Sequence, residues 1–599
     1  MDGLVRKIGR TYTSLGEVER VTTYDNSNDA LNEIKYEYDA NRRLKRLYQS
    51  HSGEVAPTTQ YLEYTFDDAN YGRLAGVQYP NGKQLSYIYD ARNNITQIKD
   101  SVNPLVEYLY DGMGSTMQTT YLEPDVSLTY ANVGLDRFGR VVNHSWMKDN
   151  DPLVHIIHGY DYAGNRTYRH DAVHAANSEL YDYDQINQIK SLDRGVLNTN
   201  KDTVTVSNFT ESWDFDKTGN WVQYDKNGSV ENRTHNAANE LQGIATHNAN
   251  GNMTVIPSLK GKYDAWNRMV EVRDSSDNLI ARYDYNGMNQ RIPKTVGSTV
   301  TKSFFNEQWQ ELEAVTDSEL TTYVWGLRYI DDFVLREKSE ERLYSLADPN
   351  WNVVAIVDAL GDVQERMKYD AFGKITWLEE NFVAKTNSDF AWNRTFTGQV
   401  LDYETGVMLC RNRYYHTRMG RFVSRDPIGY SLDDMSLYRY VNNNPSLKFD
   451  PSGLEGKWPT WLPADTSVEE IERLLKNEKD PKKAAELRTA KKIKEQWVKR
   501  IRDKVKNSGR RGVARLEVLK CLAVVACEAT CYALSKSCFN RSTDDYENCL
   551  NGAFRMKAEL RERQIALCDR INVLDLTECS AKYLACALAC LLPFNLPSG

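Results

Sequence analysis

The sequence predicts a mainly β protein that ends in a small, all-α, cysteine-rich domain. Three observations carry that reading. Tyr-Asp pairs followed by turn residues recur through the first three quarters of the 599 residues. Cys410 is alone in residues 1–454, whereas nine cysteines fall between Cys521 and Cys590. Charge divides at the same border: −15 on residues 1–454, +8 on residues 455–520 (19 Lys and Arg against 11 Asp and Glu) and −1 on residues 521–599.

The copies read YDANRRL at Tyr38, YDARNNI at Tyr89, YDGMG at Tyr110, YDYAGNR at Tyr160, FDKTGN at Phe215, YDAWNRMV at Tyr263, YDYNGMNQR at Tyr283 and YDAFGKI at Tyr369. Around them aromatic and β-branched residues alternate with polar ones, as in QLSYIYDARNNITQI, which suits half-buried antiparallel strands. Asp, Asn and Gly between the strands supply turn hydrogen bonds and accept positive φ. A single hairpin cannot bury its aromatic face, so many must stack or wind into one continuous sheet.

These residues resemble the YD repeats of the Rhs and teneurin families, and the resemblance implies a β-sheet spiral that forms a hollow shell. SLADPNWNVVAIVDALGDVQERMKYDAFGKI, from Ser345 to Ile375, is similar to the lead into the Rhs repeat-associated core. FTGQVLDYETGVMLCRNRYYHTRMGRFVSRDPIG, from Phe396 to Gly429, matches that core in order. The expected organisation is a repeat shell over 1–344, the core with its plug over 345–454, a basic helical segment over 455–515 and a cysteine-rich helical hairpin or bundle over 516–599.

In Rhs proteins, as in the C component of ABC-type toxin complexes, the chain cuts itself after the leucine of a terminal Asp-Pro-x-Gly-Leu motif. Here that motif is Asp450 to Leu454, so the implied scissile bond is Leu454-Glu455. The same resemblance makes Asp426 and Asp450 an aspartyl-protease-like pair supported by Arg413. Peptide hydrolysis asks for such a set: one carboxylate activates water while the other, protonated, donates to the carbonyl or the leaving nitrogen. Arg413 would orient a carboxylate or stabilise the oxyanion. Asp-Pro pairs also begin ordinary turns, which is the alternative for both acids. After Gly429 the run Tyr430 to Asp434 departs from the family pattern, a change close to the acids.

The segment released would be Glu455 to Gly599. It opens with WPTWLP; Ser467 and Glu470 then fit a capping box before the short helix VEEIERLL. AAELRTAKKIKEQWVKRIRDKVK continues as an amphipathic, basic helix. Its Lys and Arg suit nucleic acid, anionic lipid or plain solvation, and equally an acidic shell around a basic cargo.

Eight cysteines read C-x3-C-x6-C-x10-C, eighteen residues, then the mirror image. Facing residues of an antiparallel helical pair have a constant sum of numbers, which favours Cys527 with Cys590, Cys531 with Cys586, Cys538 with Cys579, and Cys549 with Cys568. GAFRMKAELRERQIAL offers no turn at the mirror centre, so a three-helix arrangement keeping the first three pairs is the other option. With no C-x2-C and no histidine there, disulfides outrank a zinc cluster, and the expected destination is oxidising, with Cys521 left over.

No cofactor is implied: residues 455–599 contain no histidine and no Gly-rich phosphate loop. The start MDGLVRKIGRTYTS lacks the apolar stretch of a secretory signal, and the run from Tyr583 to Phe594 is short for a membrane span. Secretion or surface display would then use a dedicated export system, or the sequence is part of a longer chain. Two functions follow. One is a carrier that encloses its own C-terminal effector and frees it by aspartyl self-cleavage. Its partners would be that cargo, a capping or translocation chain at the open N-terminal end, and a target membrane or immunity protein. The other is a cell-surface repeat protein for cell contact or glycan binding, without proteolysis.

Overall fold

Each repeat closes on one device, a five-residue turn headed by Asp or Asn. In the computed structural model, Asp39 Oδ1 accepts the N–H groups of Asn41 and Arg43 at 2.8 and 2.9 Å. The Asp39 N–H donates to the Arg43 carbonyl, the Arg42 N–H donates to the Asp39 carbonyl, and Arg42 takes φ +65°. The fifth residue completes the ring, Arg43 Nε donating to Asp39 Oδ2 at 2.7 Å. Asp161, Asp184 and Asp264 repeat the pattern with Asn165, Gln188 and Arg268 as donors to Oδ2. A carboxylate that satisfies two backbone donors makes this turn the preferred local state.

The tyrosine before the acid has its own task. Its hydroxyl donates to a carbonyl at the start of the preceding strand: Tyr38 to Val18 at 2.8 Å, Tyr89 to Leu74 at 2.6 Å, Tyr263 to Met253 at 2.8 Å and Tyr369 to Val353 at 2.6 Å. At the same positions the ladder slips by a residue, between Glu37 and Tyr38, Ile88 and Tyr89, Gly159 and Tyr160, and Lys262 and Tyr263. Bulges placed alike in successive hairpins bend every hairpin the same way, which curves the sheet.

The structure describes residues 5–454, except 71, 112–114, 131–133, 428 and 430–434. The chain divides into two compact units, Met1–Glu455 and Gly456–Gly599. The basic helices, the cysteine ladder, Glu455 and the altered run Tyr430 to Asp434 lie outside the described residues.

Among the described residues, nineteen strands from Lys7–Tyr12 to Ser229–Asn232 form one antiparallel meander. Fifteen more, from Thr246–His247 to Ala384–Lys385, form a second, which runs through residues 344 and 345 without a break. The second sheet lies alongside the first. Asn32 Nδ2 donates to the Tyr285 carbonyl at 3.1 Å, Tyr79 Oη to Tyr323 at 3.0 Å, Trp146 Nε1 to Ala347 at 2.9 Å, and Arg194 to Tyr369. Between the first and last of these contacts the first sheet advances 162 residues and the second only 84. The winding therefore tightens, and Ile98, Trp146, Tyr344 and Ile356 pack in one apolar core shared by both sheets.

The Tyr283 copy requires a correction of register. Asp284 lies inside the strand Leu279–Tyr285, and the turn is headed by Asn286, whose Oδ1 accepts Met288 and Gln290 N–H at 3.0 Å each. Tyr285, not Tyr283, donates to the preceding strand, at Met269.

A third, four-stranded sheet runs from Val400–Asp402 to Arg421–Phe422, followed by an irregular segment that contains the short helix Val441–Asn443. This plug rests on a row of repeat turns. Asn443 Nδ2 donates to Gln188 Oε1 and the Gly219 carbonyl at 2.9 and 2.8 Å, and Asn444 Nδ2 to the Asn187 carbonyl at 2.8 Å. Asn239 Nδ2 donates to the Met435 carbonyl at 2.7 Å. The repeats thus fix the plug, and the plug carries the acids.

Candidate functional site

The plug brings Arg413, Asp426 and Asp450 together. Arg413 opens the strand Arg413–His416 with its guanidinium carbon 3.5 Å from the centre of the Phe422 ring. Its Nη2 stands 2.9 Å from Asp426 Oδ2 and 3.6 Å from Asp450 Oδ2, so one nitrogen addresses both carboxylates. Its Nη1 donates to the Leu437 carbonyl at 3.2 Å, an oxygen that also accepts the Asp426 N–H at 2.9 Å. The Arg413 and Asp450 side chains are 4% and 1% exposed and Asp426 is 13% exposed, so of the two acids Asp426 is the one with access to water.

Asp450 heads a turn built like those of the repeats, and Asp426 heads a turn of its own. Asp450 Oδ1 accepts the N–H groups of Ser452 and Leu454 at 3.2 Å each, with Gly453 at φ +66°. At Asp426 the Gly429 N–H donates to the Asp426 carbonyl at 3.0 Å, with Gly429 at φ +71°. One position differs. In the Asp39, Asp161 and Asp184 turns the fifth residue is an Arg, Asn or Gln that occupies Oδ2; in the Asp450 turn it is Leu454. Leu454 has no side-chain donor. The Asp450 turn is thus a repeat turn whose Oδ2 faces Arg413, the same cation that pairs with Asp426.

The chain before the proposed cut is held residue by residue. Arg411 Nη1 donates to the Pro451 carbonyl, Asn412 N and Nδ2 to the Ser452 carbonyl at 3.2 and 3.0 Å, and Arg413 Nε to the Gly453 carbonyl. Arg411 is itself fixed by Asp331 at 2.6 Å. A Cβ at Gly453 would collide with the Cys410 carbonyl oxygen, so both close approach and positive φ demand glycine there. Burial pushes the Cys410 thiol up, and the nearby Asp450 charge adds to it, so this cysteine packs and does not supply a thiolate.

Sequence reasoning named Arg413, Asp426, Asp450 and Leu454, and the structure gathers them. It did not name Arg411, Asn412 or Asp331. The run Arg411-Asn412-Arg413 was the available signal, three donors in a row just before Tyr414-Tyr415.

A family model described as the teneurin YD-shell matches residues 7–446. The chain belongs to the teneurin YD-shell family. The matched region of this YD shell stops four residues before Asp450, so the terminal turn rests on its own geometry. Among curated relatives, the tRNA3(Ser)-specific nuclease WapA of Bacillus spizizenii is 29% identical over 47% of this chain and 12% of its own length. Double-stranded DNA deaminase toxin A of Burkholderia cenocepacia is 23% identical over 71% of this chain and 30% of its own length. The YD shell therefore spans a small part of these relatives. A solved structure of TcdB2-TccC3-Cdc42 superposes with a TM-score of 0.60 at 16% identity, covering 75% of this chain and 26% of that one, which supports the shared fold.

Proposed function

We propose that this protein is an Rhs-type carrier whose YD shell encloses its own C-terminal effector and releases it by aspartyl self-cleavage after Leu454. The observation that carries this reading is Arg413 shared by Asp426 and Asp450, beside a terminal turn whose last residue is Leu454. The shorter pairing and greater water access assign Asp426 the charged, water-activating role. In this reading Asp450, enclosed and accepting the Leu454 N–H, is left the proton-donor role. Arg411, Asn412 and Arg413 pin the three carbonyls before Leu454, so the strand entering the cut is fixed before chemistry begins.

Relatives named as a tRNA nuclease and a DNA deaminase toxin support a toxic polypeptide as the cargo. The acidic shell and basic 455–520 segment suit each other electrostatically. Export, a capping chain at the N-terminal end and an immunity protein are the partners this reading expects.

Terminal sequencing and limited proteolysis test it together. The smaller fragment should begin at Glu455 and resist trypsin until the shell is unfolded, despite its many Lys and Arg. A fragment beginning elsewhere removes the assigned bond, and a cargo digested as fast in the native protein as in urea removes enclosure.

A further inference from the structure

Where the two large sheets meet the plug, a cavity of about 80 Å³ is bordered by five cations, Arg166, Arg169, Arg194, Arg366 and Lys368. Four carboxylates border it as well, and each is engaged elsewhere. Glu179 takes Arg194 at 2.6 Å and Asp370 takes Lys226 at 2.6 Å. Asp348 accepts the Asn350 and Asn352 N–H groups of its own turn at 2.8 and 3.1 Å. Asp171 accepts those of Val173 and His174 at 3.1 and 2.9 Å and stands 4.0 Å from Arg169.

Among the described residues, Arg166, Arg366 and Lys368 have no carboxylate within 4.0 Å. Arg166 is 5% exposed; its Nη2 donates to Asn350 Oδ1 at 2.8 Å, while its buried Nε has no acceptor. Arg366 donates to the carbonyls of Leu153 and Glu380 at 2.7 and 2.8 Å, and Lys368 Nζ reaches Asn177 Oδ1 at 3.5 Å. Burial lowers the basicity of Arg366 and Lys368, with Arg194 adding to it at Lys368, while Asp171 and Glu380 oppose it at Arg366 and Asp370 and Glu179 at Lys368. Arg366 and Lys368 are half-buried and Arg166 is buried, and the carboxylates around them, Asp348 for Arg166, Asp171 and Glu380 for Arg366, Asp370 and Glu179 for Lys368, offset their charge at a distance without pairing it; five cations against four carboxylates leave the cavity lining net positive, with the Arg166 Nε donor unmet.

We propose that this cavity binds a small inorganic oxyanion of the phosphate or sulfate class, held by Arg166, Arg366 and Lys368. A water-sized group needs roughly 10–15 Å³ of such volume, so the cavity has room for a tetrahedral oxyanion with some water around it. Arginine suits its oxygens through parallel N–H donors. Because strands of both sheets and the plug residues Pro445 and Ser446 border the cavity, the anion would tie all three together. Its binding would stiffen the support of the acid pair without touching it.

Calorimetric titration of the full chain with inorganic phosphate and with sulfate, against sodium chloride of equal ionic strength, tests this. A saturable heat is expected for the oxyanions alone, with affinity about tenfold weaker in Lys368→Gln and in Arg366→Gln, the loss of one charge-assisted contact. No saturable binding, or affinity unchanged in both variants, overturns the proposal. Should a variant fail to fold, anomalous scattering from selenate co-crystallised with the unaltered chain decides. A peak in the cavity supports the site, and its absence there overturns it.

Discussion

Glu313 shows what enclosure does to a carboxyl here when no cation stands against it. It is 1% exposed, its Oε1 accepts the Asn81 N–H at 2.8 Å, and burial pushes it up to about 7. The folded value lies above the unfolded one, so the contribution to stability is full below about 4.5 and is lost as pH rises through about 7. Glu313→Gln keeps the acceptor for Asn81 and cannot ionise. Urea unfolding should find the variant more stable than the parent at pH 8, on the order of 2–3 kcal/mol, with the gap closing towards pH 5. An equal gap at both values would mean that packing, not charge, sets the difference. Asp426 and Asp450 differ from Glu313 in geometry: one guanidinium, that of Arg413, stands against both acids.

At the scale of the element, the turn explains both the repeat and the site. Asp264 is an enclosed example paired with a cation, with Oδ1 on the N–H groups of Trp266 and Arg268 and Oδ2 on the Arg268 side chain at 2.6 Å; the two side chains are 2% and 4% exposed. Asp264→Ala would strand a buried arginine, and thermal or urea unfolding should show a loss of about 3–5 kcal/mol. Asp90→Ala, in an exposed turn closed by Asn94, should cost clearly less. Equal losses would mean that the turn hydrogen bonds alone matter. This device was largely legible: Tyr-Asp with Gly or Asn three residues after the acid is a local code, read by local chemistry. Turns headed by Asn236, Asn248, Asn286 and Asn306 were not, because an amide oxygen does the same work without matching the Tyr-Asp spelling. Arg413, Asp426 and Asp450 were legible through resemblance. The shared nitrogen, the three pinned carbonyls and the Asp331 support were not, since they depend on segments about 120 residues apart meeting in the plug.

At the scale of the whole molecule, contacts between the layers depend on neutral histidines. His51 lies against the Ser303 carbonyl and His144 against the Ala347 carbonyl, at 2.9 and 2.8 Å, each joining the first sheet to the second. His416 belongs to the plug, and His247 packs its ring on Tyr438 of the plug. Burial pushes His51, His247 and His416 down to about 4 and His144 to about 3. These folded values lie below the unfolded one, so their contribution is present above about 6.5 and is lost as pH falls towards 4. Glu211 and Glu313, both pushed up to about 7, act in the opposite sense, but the histidines outnumber them. The urea midpoint should therefore fall between pH 7 and pH 5; a constant or rising midpoint would contradict the assignment of these contacts.

If the plug carries a working acid pair, the chain divides itself at the end of the shell. This is tested most directly by the intact mass of the purified chain under denaturing, neutral conditions, beside Asp426→Asn and Asp450→Asn. Neutrality matters because Asp-Pro bonds are acid-labile and would break after Asp450, four residues early. Two polypeptides divided between Leu454 and Glu455 are expected in the unaltered protein, and a single 68.8 kDa chain in both variants. An unaltered protein that stays a single chain for days would contradict self-cleavage, leaving Asp426 and Asp450 as turn residues of a plug.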